Sequence, residues 1–416
     1  MIGLKNILNG FGRQIRVHGS DIRLLDSPSC FRDTLLQLSS EISRRSRISA
    51  LYVGSGNAEQ QIVDNMVSGA RRGADVALMI DRYRGTRDGG IVLKDLRMTA
   101  QVQLYQTPHL PWTKYQKPGV VGELLGVHHM KYYLFDDHVI ISGANMSELY
   151  FGTRADRYML IKSKQLADYI CYFHDMQATS AKAWDAGNYA KSHWNKETFQ
   201  VAGNVADNFS CNTPIDKGET RDLGPATADT SLFPLFQIPW SSIRQIDDVL
   251  DIILLTARRT QTITISSGYF NPTKRLLEAM KATKARVKII VPSVEANGFY
   301  KGAFMKGMVP DLYNLAAVRT LQKCPNVEIL EYQRNGWSFH SKGVWMDNLT
   351  ILGSSNFNRR GSLRDSEFSL ALVTENEQLL ERLAAEKQGI KSFTSPLEEK
   401  HRFGTKALLP LLTRYL

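Results

Sequence analysis

The stretches HHMKYYLFDD (128–137) and FHSKGVWMDN (339–348) decide the fold of this 416-residue chain. Each contains the pattern His-x-Lys-x-x-x-x-Asp, and the second copy begins 211 residues after the first, about half the length of the chain. This spacing predicts a duplicated domain in which each half supplies half of one active site. The pattern is formed by these residues: His129, Lys131 and Asp136, then His340, Lys342 and Asp347.

The repeat continues beyond the two motifs. Asn145 and Asn356 each lie 16 residues after the histidine of their copy, and Asp156 and Glu367 each lie 27 residues after it. An imidazole suits nucleophilic and acid–base chemistry near neutral pH. A lysine two residues further along a strand points to the same face as the histidine. Two such units predict a pocket for one phosphoryl group.

These residues resemble the phospholipase D superfamily, whose members carry two such motifs. In that family one histidine attacks phosphorus to give a phospho-histidine intermediate, and the other protonates the leaving group and then activates the acceptor. The motif itself is symmetric, so the assignment of His129 as nucleophile and His340 as acid and base rests on the resemblance. The resemblance also implies that four side chains bind the phosphoryl oxygens: Lys131, Lys342, Asn145 and Asn356.

The resemblance further implies that a downstream carboxylate orients each histidine. Carried over in sequence order, Asp156 would hold His129 and Glu367 would hold His340. No metal is required by this scheme. The motif aspartates are expected to be structural, at strand ends or turns: Asp136 and Asp347.

A narrower resemblance is to eukaryotic-type phosphatidylglycerophosphate synthases. It is carried by the segments LYVGSGNAEQQIVDNM, DRYRGTR, KYYLFDDHVIISGANMSELYFGTRADRY, SSGYFNPT and SLRDSE. It implies phosphatidyl transfer from CDP-diacylglycerol to glycerol-3-phosphate with release of CMP, in phosphatidylglycerol and cardiolipin biosynthesis. The implied location is peripheral, on the matrix side of the mitochondrial inner membrane. No cofactor and no nucleic-acid partner are expected, while divalent-ion dependence and oligomeric state stay open.

Several residues are candidates for substrate binding. Arg84 and Arg87 follow a predicted strand in a glycine-containing loop, where guanidinium groups bind phosphate readily, although a solvated basic loop is the alternative. The family's Gly-Ser before the asparagine is intact at 353–354 but reversed at 142–143. The remaining candidates, each with a turn or structural role as the alternative, are Ser142, Ser354, Tyr269 and Asn271.

Composition limits how the chain meets its substrates. No apolar run reaches the roughly 18 residues of a membrane-spanning helix, so a lipid substrate must be met at the membrane surface. The net charge of +11 suits anionic lipid, nucleotide or nucleic acid, and so does not choose among them. The four scattered cysteines indicate reduced thiols instead of a disulfide framework or a zinc site.

The predicted fold class is α/β. We expect two pseudo-twofold-related phospholipase D-like domains, each a mixed β-sheet flanked by helices, with the active site at their interface. The predicted divisions are an N-terminal segment (1–20), a first domain (21–200), a linker (201–235) and a second domain (236–416). Strands are predicted at 47–55, 75–81, 100–106, 262–270, 285–293 and 327–333, and helices at 58–71, 272–282 and 312–322.

Three segments carry open alternatives. Leu4, Leu8 and Phe11 share one helical face. For residues 1–20 the alternatives are therefore a transit segment, an interfacial helix, or a first helix packed on the domain. The aromatic and basic insertions at 109–119 and 298–308 are lipid-facing lips or ordinary packed loops. The C-terminal segment 406–416 docks on a membrane or on the core.

Other functions fit the same fold. Water as the acceptor would make the protein a phospholipase D-type lipid hydrolase or a nuclease, and serine would make it a phosphatidylserine synthase. A catalytically inactive membrane-binding module is a third class. Two complete motifs argue against that class, because a binding module needs neither histidine.

Overall fold

The chain folds into alternating strands and helices. The computed structural model describes residues 4–85, 91–107, 123, 125–180, 182–183, 225, 227–302, 304–402 and 405. The helices are α1 (Leu4–Asn9), α2 (Pro28–Ser40), α3 (Asn57–Arg71), α4 (Leu96–Thr99), α5 (Glu148–Phe151), α6 (Lys164–Ser180), α7 (Gln245–Thr256), α8 (Lys274–Ala282), α9 (Val309–Lys323), α10 (Arg359–Leu363) and α11 (Glu377–Lys391). The strands of the first half are β1 (Ile15–Val17), β2 (Ile22–Leu24), β3 (Arg45–Ala50), β4 (Asp75–Asp81), β5 (Gln101–Tyr105), β6 (Tyr132–Phe135), β7 (His138–Ser142), β8 (Arg154–Ala155), β9 (Tyr158–Lys162) and β10 (Lys182–Ala183). Those of the second half are β11 (Thr230–Ile238), β12 (Ile243–Arg244), β13 (Thr262–Ser266), β14 (Arg286–Pro292), β15 (Val327–Tyr332), β16 (Ser338–Phe339), β17 (Gly343–Met346), β18 (Leu349–Gly353), β19 (Glu367–Thr374) and β20 (Thr394–Pro396).

The two halves form sheets of matching strand order. The first sheet runs β10-β5-β4-β3-β6-β7-β9-β2, and the second runs β20-β15-β14-β13-β17-β18-β19-β11-β1, with β12 also paired to β11. In each sheet the three strands at corresponding positions, β3-β4-β5 and β13-β14-β15, are parallel, and their neighbours are antiparallel. The predicted mixed sheets in two related halves are confirmed.

The predicted elements appear close to their expected bounds because the sequence pattern matches the burial. Strand β4 is a continuous apolar run that is buried on both faces after its first residue, as expected for a parallel strand between helical layers. The predicted strand at 262–270 ends earlier, at Ser266. Ser267 N–H still donates to the Ile290 carbonyl of β14, and Gly268 then packs against the backbone of His340.

Three apolar cores hold the layers together. One lies under α2 and α3 in the first half, and a second lies under α7 and α8 in the second half. The third is shared, because the inner faces of both sheets and the helices α6 and α11 contribute to it. Ring contacts cross this layer, with 5.6 Å between the ring centroids of Tyr132 and Phe368.

The N-terminal segment belongs to the second half. Strand β1 pairs with β11, and Leu8 of α1 is buried in the same core as Phe233 and Leu235. Among the alternatives for residues 1–20, the described part therefore packs on the fold. Strand β11 begins at Thr230, so the sequence-based linker boundary at residue 235 falls inside a buried strand.

Among the described residues, no helix combines the length and the apolar character needed to cross a bilayer. Four predictions fall wholly or largely outside the described residues: Arg87, the insertion at 109–119, most of the linker and the segment 406–416.

Candidate active site

Each motif lies on a β-hairpin whose turn is fixed by its aspartate. Asp136 joins β6 to β7 and Asp347 joins β17 to β18, and both adopt left-handed backbone with φ of 52° and 48°. The Asp136 carboxylate accepts hydrogen bonds from the backbone N–H groups of 43–45, and Asp347 accepts one from the Gln261 side chain. Both aspartates are therefore turn residues, as the sequence analysis expected.

The histidines are paired with the carboxylates of the opposite half. Nδ1 of His129 lies 2.9 Å from both carboxylate oxygens of Glu367. Nδ1 of His340 lies 2.7 Å from Oδ2 of Asp156. The prediction that each histidine is held by the carboxylate 27 residues after it was wrong.

Strand pairing between the halves explains this exchange. Strand β8 runs parallel to β16, so that Ala155 lies beside Phe339 and the next residues, Asp156 and His340, meet. The other copy repeats the arrangement, with an isolated parallel bridge between His128 and Ser366 one residue before His129 and Glu367. Each histidine is thus fixed by a backbone contact to the other half, which a repeat in the sequence does not reveal.

Two buried lysines contribute positive charge to the same space. Lys131 and Lys342 are fully or almost fully buried, and each donates a hydrogen bond to the carbonyl of the histidine two residues before it. Burial lowers the pKa of Lys131 to about 8 and that of Lys342 to about 7. Each histidine interacts electrostatically with the lysines of both halves, so the two motifs face one site.

Burial also keeps the imidazoles neutral. It lowers the pKa of His129 and of His340 well below the ordinary value, and the lysines lower these pKa values further. Burial raises the pKa of Asp156 to about 6 and that of Glu367 well above its ordinary value. A neutral imidazole that donates from Nδ1 to its carboxylate presents a lone pair at Nε2, as a nucleophile or a base requires.

The two histidines differ at Nε2. The Tyr150 hydroxyl lies 3.4 Å from Nε2 of His340 and also receives a hydrogen bond of 3.1 Å from Asn145. The 211-residue repeat places Gly361 at the position equivalent to Tyr150. A Cβ on Gly361 would lie 2.7 Å from the Asn356 carbonyl oxygen, so the second half has no room for a side chain there.

Charge differs between the halves in the same way. Arg154 is half-buried, lies 4.6 Å above the Tyr150 ring and donates from Nε to the Ser338 hydroxyl at 3.1 Å. The repeat places Asp365 at the equivalent position, where it accepts a 2.7 Å hydrogen bond from Arg360. Sequence reasoning missed Tyr150 and Arg154, although both are visible as departures from the repeat.

The two serine candidates are buried and donate hydrogen bonds to other groups of the protein. Ser354 is fully buried and donates to Glu367 at 2.5 Å, which fixes the carboxylate that holds His129. Ser142 is fully buried and donates to the Arg157 carbonyl. Both contacts favour a positioning role over the direct substrate contact that we expected.

Of the other substrate-binding candidates, three lie among the described residues: Arg84, Tyr269 and Asn271. The Arg84 guanidinium stacks 4.2 Å above the Tyr52 ring, and its backbone N–H donates to buried Asp81. The half-buried Tyr269 ring lies 5.9 Å from the His340 ring. Asn271 is buried and forms a backbone bridge to Asn358, which positions the start of α10.

Comparisons with known proteins show the family and the fold. A family model described as cardiolipin synthase, PLD-like domain, matches residues 35–176 and 252–390. The human mitochondrial CDP-diacylglycerol–glycerol-3-phosphate 3-phosphatidyltransferase is 31% identical over 92% of this chain and 79% of its own length. The Saccharomyces pastorianus protein of the same activity name is 29% identical over 91% of this chain and 83% of its own. The crystal structure of phosphatidylserine synthase from Haemophilus influenzae Rd KW20 superposes with a TM-score of 0.77 at 23% identity, covering 99% of this chain and 96% of that one, which shows a shared fold.

Proposed function

The chain belongs to the family of phospholipase D-like CDP-diacylglycerol–glycerol-3-phosphate 3-phosphatidyltransferases, and from this premise we propose that it moves a phosphatidyl group from CDP-diacylglycerol to glycerol-3-phosphate. The products are phosphatidylglycerophosphate and CMP, within phosphatidylglycerol and cardiolipin biosynthesis. One observation carries the proposal: two histidine–carboxylate pairs and two buried lysines share one site. A double displacement at phosphorus needs a nucleophile, an acid–base group and cations, and this set supplies all three.

In the first step, Nε2 of His129 attacks the phosphatidyl phosphorus. The bond from that phosphorus to the CMP oxygen breaks, and His340 gives a proton to this oxygen. The free-enzyme pKa of His340 is lowered, so its protonation depends on the substrate. The pyrophosphate of bound CDP-diacylglycerol favours protonated His340, because its negative charges offset Lys131 and Lys342 and raise the pKa of the imidazole.

In the second step, neutral His340 takes the proton from a glycerol-3-phosphate hydroxyl. The resulting oxygen attacks the phosphatidyl group, and the bond between phosphorus and His129 breaks. Lys131, Lys342 and the two asparagines, Asn145 and Asn356, stabilise charge on the phosphoryl oxygens in both steps. Each amide would do so through an N–H of its Nδ2, because phosphoryl oxygens accept hydrogen bonds.

The difference at Nε2 supports His129 as the nucleophile. Tyr150 lies against Nε2 of His340, whereas the repeat places a glycine, Gly361, at the equivalent position, and the His129 side chain is 12% exposed against 5% for His340. A phosphorus centre needs an open line of approach to the attacking nitrogen. A proton donor or acceptor, in contrast, works with a hydroxyl beside it. Arg84 and Arg87 remain our proposed contacts to the acceptor phosphate.

We further propose that the site faces an anionic membrane, with the protein peripheral on the matrix side of the mitochondrial inner membrane. Curated relatives carry the word mitochondrial in their names. In the second insertion, Phe299 and Tyr300 are 38% and 43% exposed, and Phe299 lies 5.6 Å from Tyr269 of the pocket. Exposed aromatic rings next to Lys301 favour a membrane–water interface.

The test is acceptor competition with purified protein, detergent micelles and labelled CDP-diacylglycerol. Glycerol-3-phosphate, serine and water are offered together, and CMP and lipid products are both quantified. We expect phosphatidylglycerophosphate in equal amount to CMP. His129→Ala and His340→Ala should abolish it, while His138→Ala, at the start of β7 and outside the site, should not.

Other products would replace the proposal with a specific alternative. Phosphatidic acid as the main product would make the protein a hydrolase, and phosphatidylserine would make serine the acceptor. If no CMP were released, nucleic-acid phosphodiesters would be the next substrates to test.

A further inference from the structure

Arg154 is a cation of the site that is not among the four side chains proposed to bind the phosphoryl oxygens. Arg154 lies on β8, directly beside Ser338 of β16 and two residues before Asp156, so the strand pair that brings Asp156 to His340 also brings Arg154 there. Among the described residues, no carboxylate lies within ion-pair distance of its guanidinium group. It contacts the Ser338 hydroxyl and the Tyr150 ring, and it interacts electrostatically with His340 and Asp156.

The position equivalent to Arg154 in the opposite half carries no such cation. At the equivalent position, Asp365 forms an ion pair of 2.7 Å with Arg360 and also accepts a hydrogen bond from the Val127 backbone. At this position the charges on the His129 side are paired, whereas on the His340 side the Arg154 guanidinium has no ion-pair partner among the described residues. At this pair of equivalent positions, therefore, the two sides of the site differ in charge.

The surroundings of Arg154 suit a small anionic ligand. Its guanidinium is held in place by the Tyr150 face and the Ser338 hydroxyl, so little side-chain freedom is lost when it binds. Gly298 lies beside it, where an added Cβ would sit 3.1 Å from Nη2 of Arg154 and 2.9 Å from the Tyr269 hydroxyl. A glycine at this point keeps the space next to Arg154 open. A guanidinium group presents paired N–H donors that match phosphate oxygens.

We propose that Arg154, supported by Tyr150 and Ser338, forms a phosphate-monoester subsite on the His340 side of the pocket. This inference rests on the proposed function and deepens it. In a double displacement at His129, the leaving group departs and the acceptor arrives on the side that His340 serves. Both CMP and glycerol-3-phosphate are phosphate monoesters, and the subsite would bind one or both of them. It would lie closer to the acid–base histidine than the loop that carries Arg84.

The test compares acceptors with and without a phosphate. Wild type, Arg154→Gln and Arg154→Lys are assayed for phosphatidyl transfer to glycerol-3-phosphate and to glycerol, and for inhibition by CMP. Arg334→Gln is the matched control, because Arg334 also stacks on aromatic rings, 3.9 Å from that of Trp337, but lies on an outer turn. Thermal unfolding of each variant checks that it is folded.

We expect Arg154→Gln to raise the KM for glycerol-3-phosphate or the inhibition constant of CMP by about tenfold to a hundredfold, the usual effect of losing a charge-assisted hydrogen bond. The rate with glycerol should stay within about twofold of wild type, and Arg154→Lys should restore part of the loss. A change in KM alone identifies the acceptor as the ligand, and a change in CMP inhibition alone identifies the leaving group.

Two outcomes would overturn the subsite. One is unchanged KM and unchanged CMP inhibition in folded Arg154→Gln. The other is an equal loss with glycerol and glycerol-3-phosphate, which would mean that Arg154 acts through His340 or the fold. Failure of the proposed function is separate, since it would appear as wild-type protein that makes no phosphatidylglycerophosphate.

Discussion

His129 and His340 occupy matching positions in the repeat but have different surroundings. Burial beside lysines lowers the pKa of each imidazole, and Nδ1 of each lies within 2.9 Å of a carboxylate from the other half. They differ at the second nitrogen, where His340 meets Tyr150. A single tyrosine therefore gives two chemically equal residues separate roles in the proposed mechanism.

The crossed pairing makes a prediction that differs from the one in sequence order. A phosphatidyl ester of p-nitrophenol has a leaving group that needs no proton, so of the two histidine–carboxylate pairs only the attacking one is needed for the burst of p-nitrophenol. We expect His129→Ala and Glu367→Gln to reduce the burst rate, the latter by on the order of a hundredfold or more. His340→Ala and Asp156→Asn should retain most of the burst.

The same four variants contain their own control. If His340 were the nucleophile, the burst would be lost in His340→Ala and Asp156→Asn instead, and the crossed pairing would still hold. Loss in His129→Ala together with Asp156→Asn would contradict the geometry.

The buried lysines predict the alkaline limb of the pH profile. In the free enzyme the pKa of Lys342 is lowered to about 7 and that of Lys131 to about 8, so their positive charge is lost as pH rises through this range. We expect kcat/KM for CDP-diacylglycerol to fall above pH of about 7 to 8, because kcat/KM reports the free enzyme. The limb of kcat should lie at higher pH, since bound phosphate stabilises the ammonium groups.

Lys342→Arg provides the control for this pH profile. A guanidinium group stays charged throughout the range, so any activity that this variant keeps should decline at higher pH than that of wild type. A wild-type kcat/KM that stays flat to pH 9 would show that these ammonium groups are not needed in their charged form.

At the scale of elements, a short strand pair between the halves brings His340 and its carboxylate together. Strand β8 has two residues, yet its pairing with β16 places Asp156 beside His340. The next residue, Arg157, is almost fully buried and forms an ion pair of 2.7 Å with Glu386 of α11 and a hydrogen bond of 2.8 Å to the Ile351 carbonyl. Arg157 thereby anchors β8 to the second half.

Gly343 at the start of β17 is predicted to be essential for this anchor. Its φ of 152° lies in the range that favours glycine, and a Cβ would collide with Nη1 of Arg157 and the Ile351 carbonyl oxygen. Gly343→Ala should lower the free energy of unfolding by about 2–4 kcal/mol. Urea unfolding followed by circular dichroism measures this change.

Gly389 of α11 is the matched glycine. Nothing lies within 4 Å of an added Cβ there, so Gly389→Ala should stabilise the helix by up to about 1 kcal/mol. If Gly343→Ala altered stability by less than about 0.5 kcal/mol, the packing described around Arg157 would be wrong.

At the scale of the whole molecule, a shared core joins the two halves. The shared core takes Met130 and Tyr132 from one sheet and Phe368 and Leu370 from the other. Strand β1, at the start of the chain, completes the sheet of the second half. Each half therefore lacks the cover of a buried face when the other is missing, and the second half also lacks its edge strand β1.

This shared core predicts one cooperative transition. In scanning calorimetry of the intact protein, we expect a single peak whose calorimetric and van't Hoff enthalpies agree, because neither sheet can unfold without exposing the shared core. Two resolved peaks, or a calorimetric enthalpy about twice the van't Hoff value, would show that the halves unfold independently.

Much of the molecule could be predicted from the sequence because local patterns determine it. Strand β4 has its predicted bounds, and α3 begins within one residue of its predicted start, since apolar runs and helical periodicity are local properties. The strand β11 was missed for a related reason. It follows a polar segment rich in glycine and aspartate, and the predicted linker extended into it.

The sequence by itself determined the duplicated fold, the two histidines, the two lysines and the turn roles of Asp136 and Asp347, because a fixed spacing of 211 residues records them. Tertiary structure alone decided which carboxylate serves which histidine and which histidine lies beside Tyr150 and Arg154. The physical reason is that a repeat specifies contacts within each half. The active site is built from contacts between the halves, and their partners depend on how the two sheets pack face to face.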